Sequence, residues 1–280
     1  MRTISRIDIL KAAETLIQSA NLILPKNVQE SLSHAEKQEE KISAKSALQS
    51  ILKNAKMAPE KHLPLCQDTG TAVFFVEIGV EVSLEEPLSH TLSEAVAQTY
   101  EACRFRASMV NDPLFERKNT KNNTPPIVHL EQVPGDKIRM VFLPKGGGAE
   151  NKSTLTMLRP ADGEEGVVAT VLETAKKAGG TSCPPWILGI GIGGSFDSVA
   201  SLAKKALFRS LHYTHKNTHY TALEEKITKG VNALHIGTMG FGGVTTVLST
   251  RIEYAPTHMA SLPVAVNIQC HSARSAEVTL

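Results

Sequence analysis

Cys66, Cys183 and Cys270 share a setting, each where an apolar run meets a loop, in "LCQDTG", "TSCPPW" and "IQCHSA". The fourth cysteine, Cys103, lies inside the helical pattern "TYEACRFRASM" and reads as a small buried hydrophobe. The three loop cysteines are 117 (183 − 66) and 87 (270 − 183) residues apart, so none belongs to a local C-x-x-C clip of the zinc-finger or ferredoxin kind. Loops from distant parts of a sheet can still converge on one point. Three thiolates meeting there would suit a cubane iron–sulfur cluster with one iron left without a protein ligand and free to act as a Lewis acid. Scattered structural thiols are the alternative, and spacing alone leaves both open.

Cys66 stands beside Gln67, Asp68 and Thr69 in "LPLCQDTG", a segment barred from a helix interior by Pro64 and Gly70. It runs into the apolar strand "TAVFFVEIGV" (71–80), and polar loops at strand ends are where sites tend to sit. "LPKGGGAENKS" (143–153) offers backbone amides to an anion, with Lys145 and Lys152 adding positive charge, or else forms a flexible turn. "GIGIGGSFD" (189–197) matches G-x-G-x-x-G through Gly189, Gly191 and Gly194, after a strand and before a helix. A dinucleotide site also wants an acidic residue about 20 positions on. That region reads "LHYTHKNTHY", without an acid, which demotes the nicotinamide reading. The glycines of "LHIGTMGFGGVTTVL" suit close backbone approach better than packing. His258 is a candidate general acid or hydrogen-bond donor near neutral pH, or simply a satisfied polar side chain. His212, His215 and His219 read as solvated surface.

The elements that must position these residues follow from periodicity. Helical patterning covers Ile4 to about Lys56, broken near Pro25 and by the polar stretch "SHAEKQEEKISAKS", giving two or three helices packed as a sheath. The strand around Phe74 comes next, then a helix from about Leu92 to Met109 and a long polar loop, Asn111 to Pro126, mobile unless something orders it. "IVHLEQV" and "DKIRMVFL" flank Pro134-Gly135 and read as a hairpin. Helices are expected over Glu164–Ala178, Phe196–Phe208 and Ala222–Leu234, with strands at "PPWILGIGI", "VTTVLSTRIEY" and "SLPVAVNIQC". The fold class is α/β, a mixed β-sheet flanked by helices with a helical amino-terminal region of about residues 1–60. No linker or repeat forces more than one domain over 1–280.

Charge and composition exclude several roles. Thirty Lys and Arg against 28 Asp and Glu leave a net +2, and no dense basic run interleaves with aromatics, so no nucleic acid is expected. A small anionic substrate remains open. No apolar run approaches the roughly 20 residues needed to span a bilayer, so no membrane is expected. The segment "MRTISRIDILKAAETLIQSANLIL" carries Asp8, Lys11 and Glu14 in an amphipathic pattern unlike a signal peptide. Cytoplasm is the expected compartment, where four cysteines argue against a disulfide framework and leave inert, redox or metal-binding thiols.

Together, "LCQDTGTAVFFVEIG", "KGGGAENKS", "CPPWILGIGIGGSFD", "IGTMGFGGVTTVL" and "LPVAVNIQCHSARS" resemble, in order from about Cys66 to Arg274, the alpha subunit of class I, iron–sulfur-dependent fumarate hydratases, a family that includes the tartrate dehydratases. The resemblance implies a 4Fe-4S cluster bound by three cysteines, at Cys66, Cys183 and Cys270, whose remaining iron binds the substrate's hydroxyl and carboxylate. It implies substrate contacts from Gln67, Asp68, Arg106, Gly147 and Gly148, proton transfer by Asp68, and a histidine near the cluster at His258. An arginine's planar fork suits a carboxylate clamp. Single-chain members carry a second domain, and this chain stops ten residues after Cys270. The resemblance therefore implies a separate beta subunit, a hetero-oligomer, and an active site at their interface acting on a small dicarboxylate. "GGGAENKS" and "GIGGSFD" look more like fumarate hydratases than tartrate dehydratases, and mesaconate is a further substrate of the same type. The competing classes are a nucleotide-binding oxidoreductase and a non-catalytic iron–sulfur or zinc scaffold.

Overall fold

The computed structural model describes all 280 residues. In chain order the elements are β1 (Arg2–Ile4), α1 (Arg6–Leu22), α2 (Lys26–Gln38), α3 (Ile42–Lys61), β2 (Thr71–Gly79), β3 (Val82–Leu84), α4 (Leu88–Ala102), β4 (Ile127–Val133), β5 (Ile138–Lys145), a one-turn α5 (Gly147–Glu150), β6 (Thr154–Leu158), α6 (Gly163–Ala178), β7 (Trp186–Gly194), α7 (Ser198–Ala206), α8 (Thr218–Asn232), β8 (Val247–Thr257), β9 (Leu262–Gln269) and β10 (Ala276–Thr279). The fold is α/β with amino-terminal helices, as expected. Its strands form two separate four-stranded mixed sheets and a two-stranded pair, rather than one sheet. The chain divides into two compact units, each discontinuous in sequence: Met1–Pro25, Ala55–Gly147 and Arg274–Leu280 in the first, Lys26–Asn54 and Gly148–Ala273 in the second. No helix is long and apolar enough to cross a membrane.

In the first unit the sheet order is β10-β5-β2-β4. The expected β4–β5 hairpin does not form, because β2 lies between them, antiparallel to β5 and parallel to β4. Ala72, Val73 and Phe74 of β2 are fully buried on both faces, while β4 is mostly exposed, so the more apolar strand takes the centre. Helix α1 starts at Ser5, whose hydroxyl accepts the Asp8 N–H, and turns Ile9, Ala13, Leu16, Ile17 and Ala20 onto the sheet. Burial of each large side chain there contributes roughly 1.5–3 kcal/mol.

Helix α4 begins earlier and ends sooner than its apolar pattern suggests. After Ala102, Arg104 adopts φ +52 and the Phe105 N–H returns to the Tyr100 carbonyl at 2.9 Å, a Schellman ending without glycine. Phe105 thereby packs edge-on against Tyr100, at 5.6 Å between centroids, which repays the left-handed residue. Cys103 falls at this helix end, half-buried against the core, and burial pushes its thiol above the ordinary range. The polar loop that follows is ordered by its own side chains. Asp112 accepts the amides of Leu114, Phe115 and Glu116, which hold its carboxyl below the usual range, and the fully buried Asn123 joins the loop to the Gly70 carbonyl at 3.0 Å.

The second unit has sheet order β6-β9-β7-β8. On one face Val167, Val171 and Ala175 of α6 and Leu223, Ile227 and Val231 of α8 meet Trp186, Leu188 and Ile190 of β7. On the other, α7 lies so close to β7 that a Cβ at Gly189 or Gly191 would stand 2.1–2.2 Å from helix carbonyls. Those glycines are spent on helix–sheet packing inside a strand, not on a strand-to-helix turn, so the dinucleotide fingerprint lacks its geometry. The polar stretch expected to interrupt the helices is itself mostly helical, with a break only between α2 and α3. There Glu39, 2% exposed, accepts the N–H of Lys41 and that of Val244. Its carboxylate thus fixes the glycine-rich segment before β8.

Strand directions sort the ends of this sheet. β9 runs antiparallel to β7, and β8 parallel to it. The residues before β7, after β9 and before β8 therefore share one end, while the turn after β7 and the β8–β9 hairpin share the other.

Candidate active site

In the first unit the loop after α3 is anchored by the Leu65 N–H on the Asn21 carbonyl, 2.9 Å. Gly70, at φ +72, lies flat on the backbone of Lys145, where any Cβ would come within 2.7–2.8 Å. That contact sets Cys66, Gln67 and Asp68 at the mouth of β2. Asp68 receives the Gly70 N–H on Oδ1 at 3.0 Å and the Gly147 N–H on Oδ2 at 2.9 Å. Two loops 79 residues apart are joined by one carboxylate, with a lone pair on each oxygen still available. Thr69 donates to the Arg106 carbonyl at 2.7 Å, bringing that residue to the same loop with its side chain exposed. Gln67 is exposed as well, and Cys66 half-buried.

Beneath the loop, Arg274, 1% exposed, donates to the Asp68 carbonyl at 2.8 Å, and Tyr100 donates to the Thr69 carbonyl at 2.7 Å. Burial pushes the Tyr100 hydroxyl far above its ordinary range, so it is a fixed neutral donor. Sequence reading passed over Asn21, Tyr100 and Arg274. An arginine four residues after a candidate ligand was the one available signal.

In the second unit Cys183 and Cys270 are brought together. The backbone N–H and the Nδ1 of His271 both meet the Cys183 carbonyl at 3.1 Å. Cys183 itself sits at φ +55, a left-handed conformation that costs a non-glycine residue roughly 1–2 kcal/mol. The glycine-rich segment before β8 closes on the same turn: Met239 N–H donates to the Pro184 carbonyl at 2.9 Å, and Gly180 packs against Gly240. Close backbone approach, expected from the glycines, is what they provide. Buried around this turn, Ser182 Oγ, Thr238 Oγ1, Gln269 Oε1 and Ser272 Oγ have no hydrogen-bond partner. The short α5 and the residues after it are tied to β9, the strand that leads to Cys270, by Glu150 on the Asn267 amide at 3.0 Å and by the Ser153 hydroxyl under the Ile268 N–H at 3.1 Å.

His258 is not brought to these cysteines. It occupies the β8–β9 hairpin, at the opposite end of the eight-residue β9, which rises roughly 25 Å at about 3.3 Å per residue. Its Nδ1 accepts the Ala260 N–H at 3.1 Å, and it borders a cavity of about 430 Å³ with Tyr220, Leu223, Met259 and Leu262. The resemblance implied a histidine near the cluster, and within this unit strand direction puts His258 and the two cysteines at opposite ends of β9. Of the solvated cluster, His212 pairs with Glu30 at the surface, and His215 is tucked against Tyr220 and Tyr254.

The donor set suits a thiophilic metal group. All four cysteines are outside disulfides, and three stand half-buried at loop edges beside unpaired polar atoms or loop amides. Within neither unit do three or more His, Cys, Asp or Glu side chains gather as a metal site. Cys66 belongs to the first unit, Cys183 and Cys270 to the second.

The sequence profile of the family described as "Fumarate hydratase (Fumerase)" matches residues 10–279. The chain is 40% identical over 268 residues to a Methanocaldococcus jannaschii protein named "Putative L(+)-tartrate dehydratase subunit alpha", covering 93% of each. It is 31% identical to the "L(+)-tartrate dehydratase subunit alpha" of Escherichia coli strain K12, covering 90% of this chain and 84% of that one. It is 33% identical to a Geobacillus stearothermophilus protein named "Putative fumarate hydratase class I", covering 92% of this chain but 52% of that protein.

Proposed function

Since the chain belongs to the fumarate hydratase (Fumerase) family of hydro-lyases, we propose that it is the alpha subunit of an iron–sulfur hydro-lyase that reversibly hydrates fumarate to (S)-malate in the cytoplasm. The observation that supports this most is Asp68, two residues from Cys66, held through both carboxylate oxygens by the amides of Gly70 and Gly147. Such a base is oriented before substrate arrives, which is where general acid–base catalysis gains its efficiency.

Cys66, Cys183 and Cys270 would hold a 4Fe-4S cluster, and that group would supply Lewis acidity toward the substrate's hydroxyl and carboxylate. The remaining steps fall to side chains and amides. Arg106, exposed beside Thr69, clamps one carboxylate through its fork. Gln67 donates to the other end of the substrate. The Gly147 N–H is already engaged by Asp68, so Gly148, exposed and next in the turn, presents the amide that meets substrate. In hydration Asp68 accepts a proton from the attacking water as oxygen bonds to carbon, and in dehydration it returns that proton to the departing hydroxyl. Charge building at the neighbouring carbon spreads into the clamped carboxylate, and a donor on the opposite face protonates it.

That second donor is assigned to a separate beta subunit. The relatives' alpha-subunit names support such a partner, as does the alignment to 52% of the G. stearothermophilus protein. A second reading, dehydration of L(+)-tartrate by the same residues, is favoured by the name of the 40% identical relative. Anaerobic co-purification with a beta-type chain tests both. The expected result is a brown complex with about four iron and four sulfide per alpha chain that consumes fumarate ultraviolet absorbance faster than it forms oxaloacetate from L(+)-tartrate. The opposite ratio favours the tartrate reading. A cluster-loaded complex inert toward every four-carbon dicarboxylate would sink both, and full turnover by the alpha chain alone would remove the partner.

A further inference from the structure

Three hydroxyls without partners surround one turn of the second unit. Ser182, Thr238 and Ser272 are 1%, 0% and 5% exposed, and the Oγ or Oγ1 of each is unsatisfied. A buried hydroxyl left unpaired forfeits its hydration for nothing, so folded chains rarely keep several in one place. These three come from separate segments. Ser182 precedes Cys183, Ser272 follows Cys270 by two residues, and Thr238 precedes Met239, whose N–H is bonded to the Pro184 carbonyl. His271 ties the last segment to the Cys183 carbonyl through two contacts of 3.1 Å. Backbone bonds stitch the turn together, while the hydroxyls beside the two cysteines have no partner.

We infer that Ser182, Thr238 and Ser272 are hydrogen-bond donors to the sulfur atoms of the group that Cys183 and Cys270 hold, completing their pairing only when it is bound. The inference rests on the iron–sulfur reading above. A hydroxyl proton rotates freely about its C–O bond and reaches any acceptor nearby, and thiolate or sulfide is an anionic acceptor of the right kind. Donors to sulfur favour the more negative, reduced state and so raise the reduction potential. Gln269 Oε1, also unpaired here, is an acceptor that sulfur cannot satisfy, and it takes no part. The three are positioning residues.

The test uses the complex with the beta subunit, loaded anaerobically, as wild type, Ser182→Ala, Ser272→Ala and Ser272→Thr. Two readouts apart from turnover are the cluster's reduction potential, followed by electron paramagnetic resonance, and the rate at which a ferrous-iron chelator strips it. Each alanine variant is expected to show a lower potential and iron loss roughly fivefold faster, the worth of one net hydrogen bond. Ser272→Thr should restore both. The metal-free alanine variants should melt at or above the wild-type temperature, because they lose an unpaired hydroxyl. Wild-type potential and stripping rate in both alanine variants would overturn the inference with the cluster reading intact, as would a lowered melting temperature of the metal-free variants. A wild-type complex that takes up no iron or sulfide would overturn the cluster reading and this inference together.

Discussion

Asp68 has both carboxylate oxygens on backbone amides and its carbonyl on Arg274, whereas the turn at Cys183 keeps three buried hydroxyls without partners. Both regions are loops at strand ends, and both carry a cysteine beside small polar residues. The acceptors of the first are finished by its own unit, with Arg274 Nε left unpaired: Tyr100, Asn123 and Arg274 reach them from a helix, a long loop and the carboxyl-terminal strand region. The second has its backbone fixed by His271 and Met239, while the hydroxyls of Ser182, Thr238 and Ser272 have no partner. The contrast matches the proposed roles: a base aimed before reaction has its bonds made in advance, and a turn that would receive a bound group would keep its donors for that group.

The harshest way to break the contrast is Cys183→Ala or Cys270→Ala. Either should abolish bound iron and lower hydratase turnover by at least about 10³-fold, since a metal's Lewis acidity accounts for several kcal/mol. Iron and sulfide analysis beside the fumarate assay checks this. Asp68→Asn probes the finished loop. Turnover should fall roughly 10²–10⁴-fold, the span of a general acid–base group, while iron content stays unchanged. Loss of the cluster in that variant would mean that the two regions are not independent.

Gly70→Ala tests whether the finished loop depends on its seat against Lys145. A left-handed φ and a Cβ 2.7 Å from backbone should destabilise the chain by roughly 1–3 kcal/mol, read by urea unfolding. Tyr100→Phe is the mildest change, costing about 1 kcal/mol for the Thr69 carbonyl it leaves unpaired. It also sharpens the pH profile. Burial raises the folded-state pKa of Tyr100 above its unfolded value of about 10, so the folded chain holds its proton longer. Its contribution is whole below pH 10 and is lost as pH rises beyond that. Alkaline destabilisation should be shallower in Tyr100→Phe, and an identical slope would show that this hydroxyl does not govern it.

Much of the fold was legible where a segment was long and periodic: β2, α6, β7, β8 and β9 fall near the expected runs. β1, β3, β6 and β10 were not seen, being three to five residues long and defined by their neighbours. The supposed β4–β5 hairpin failed because a turn signal says nothing about a third strand competing for the same edge. G-x-G-x-x-G misled for a related reason, since Gly189 and Gly191 serve the approach of α7. His258 shows how little chain proximity says, because the eight-residue β9 lies between it and Cys270.

Local chemistry could be read directly from the chain: which cysteines stand at loop edges, which carboxylate neighbours one of them, and which glycines leave amides bare, all properties of adjacent residues. Pairing could not. The bond from Gly147 to Asp68 spans 79 positions and that from Arg274 to Asp68 spans 206, and the hydroxyls of Ser182, Thr238 and Ser272 look like any others until burial strips their water away. Hydrogen bonds act over about 3 Å in space and have no regard for separation along the sequence, so folding alone settled which polar atoms were satisfied and which were left waiting.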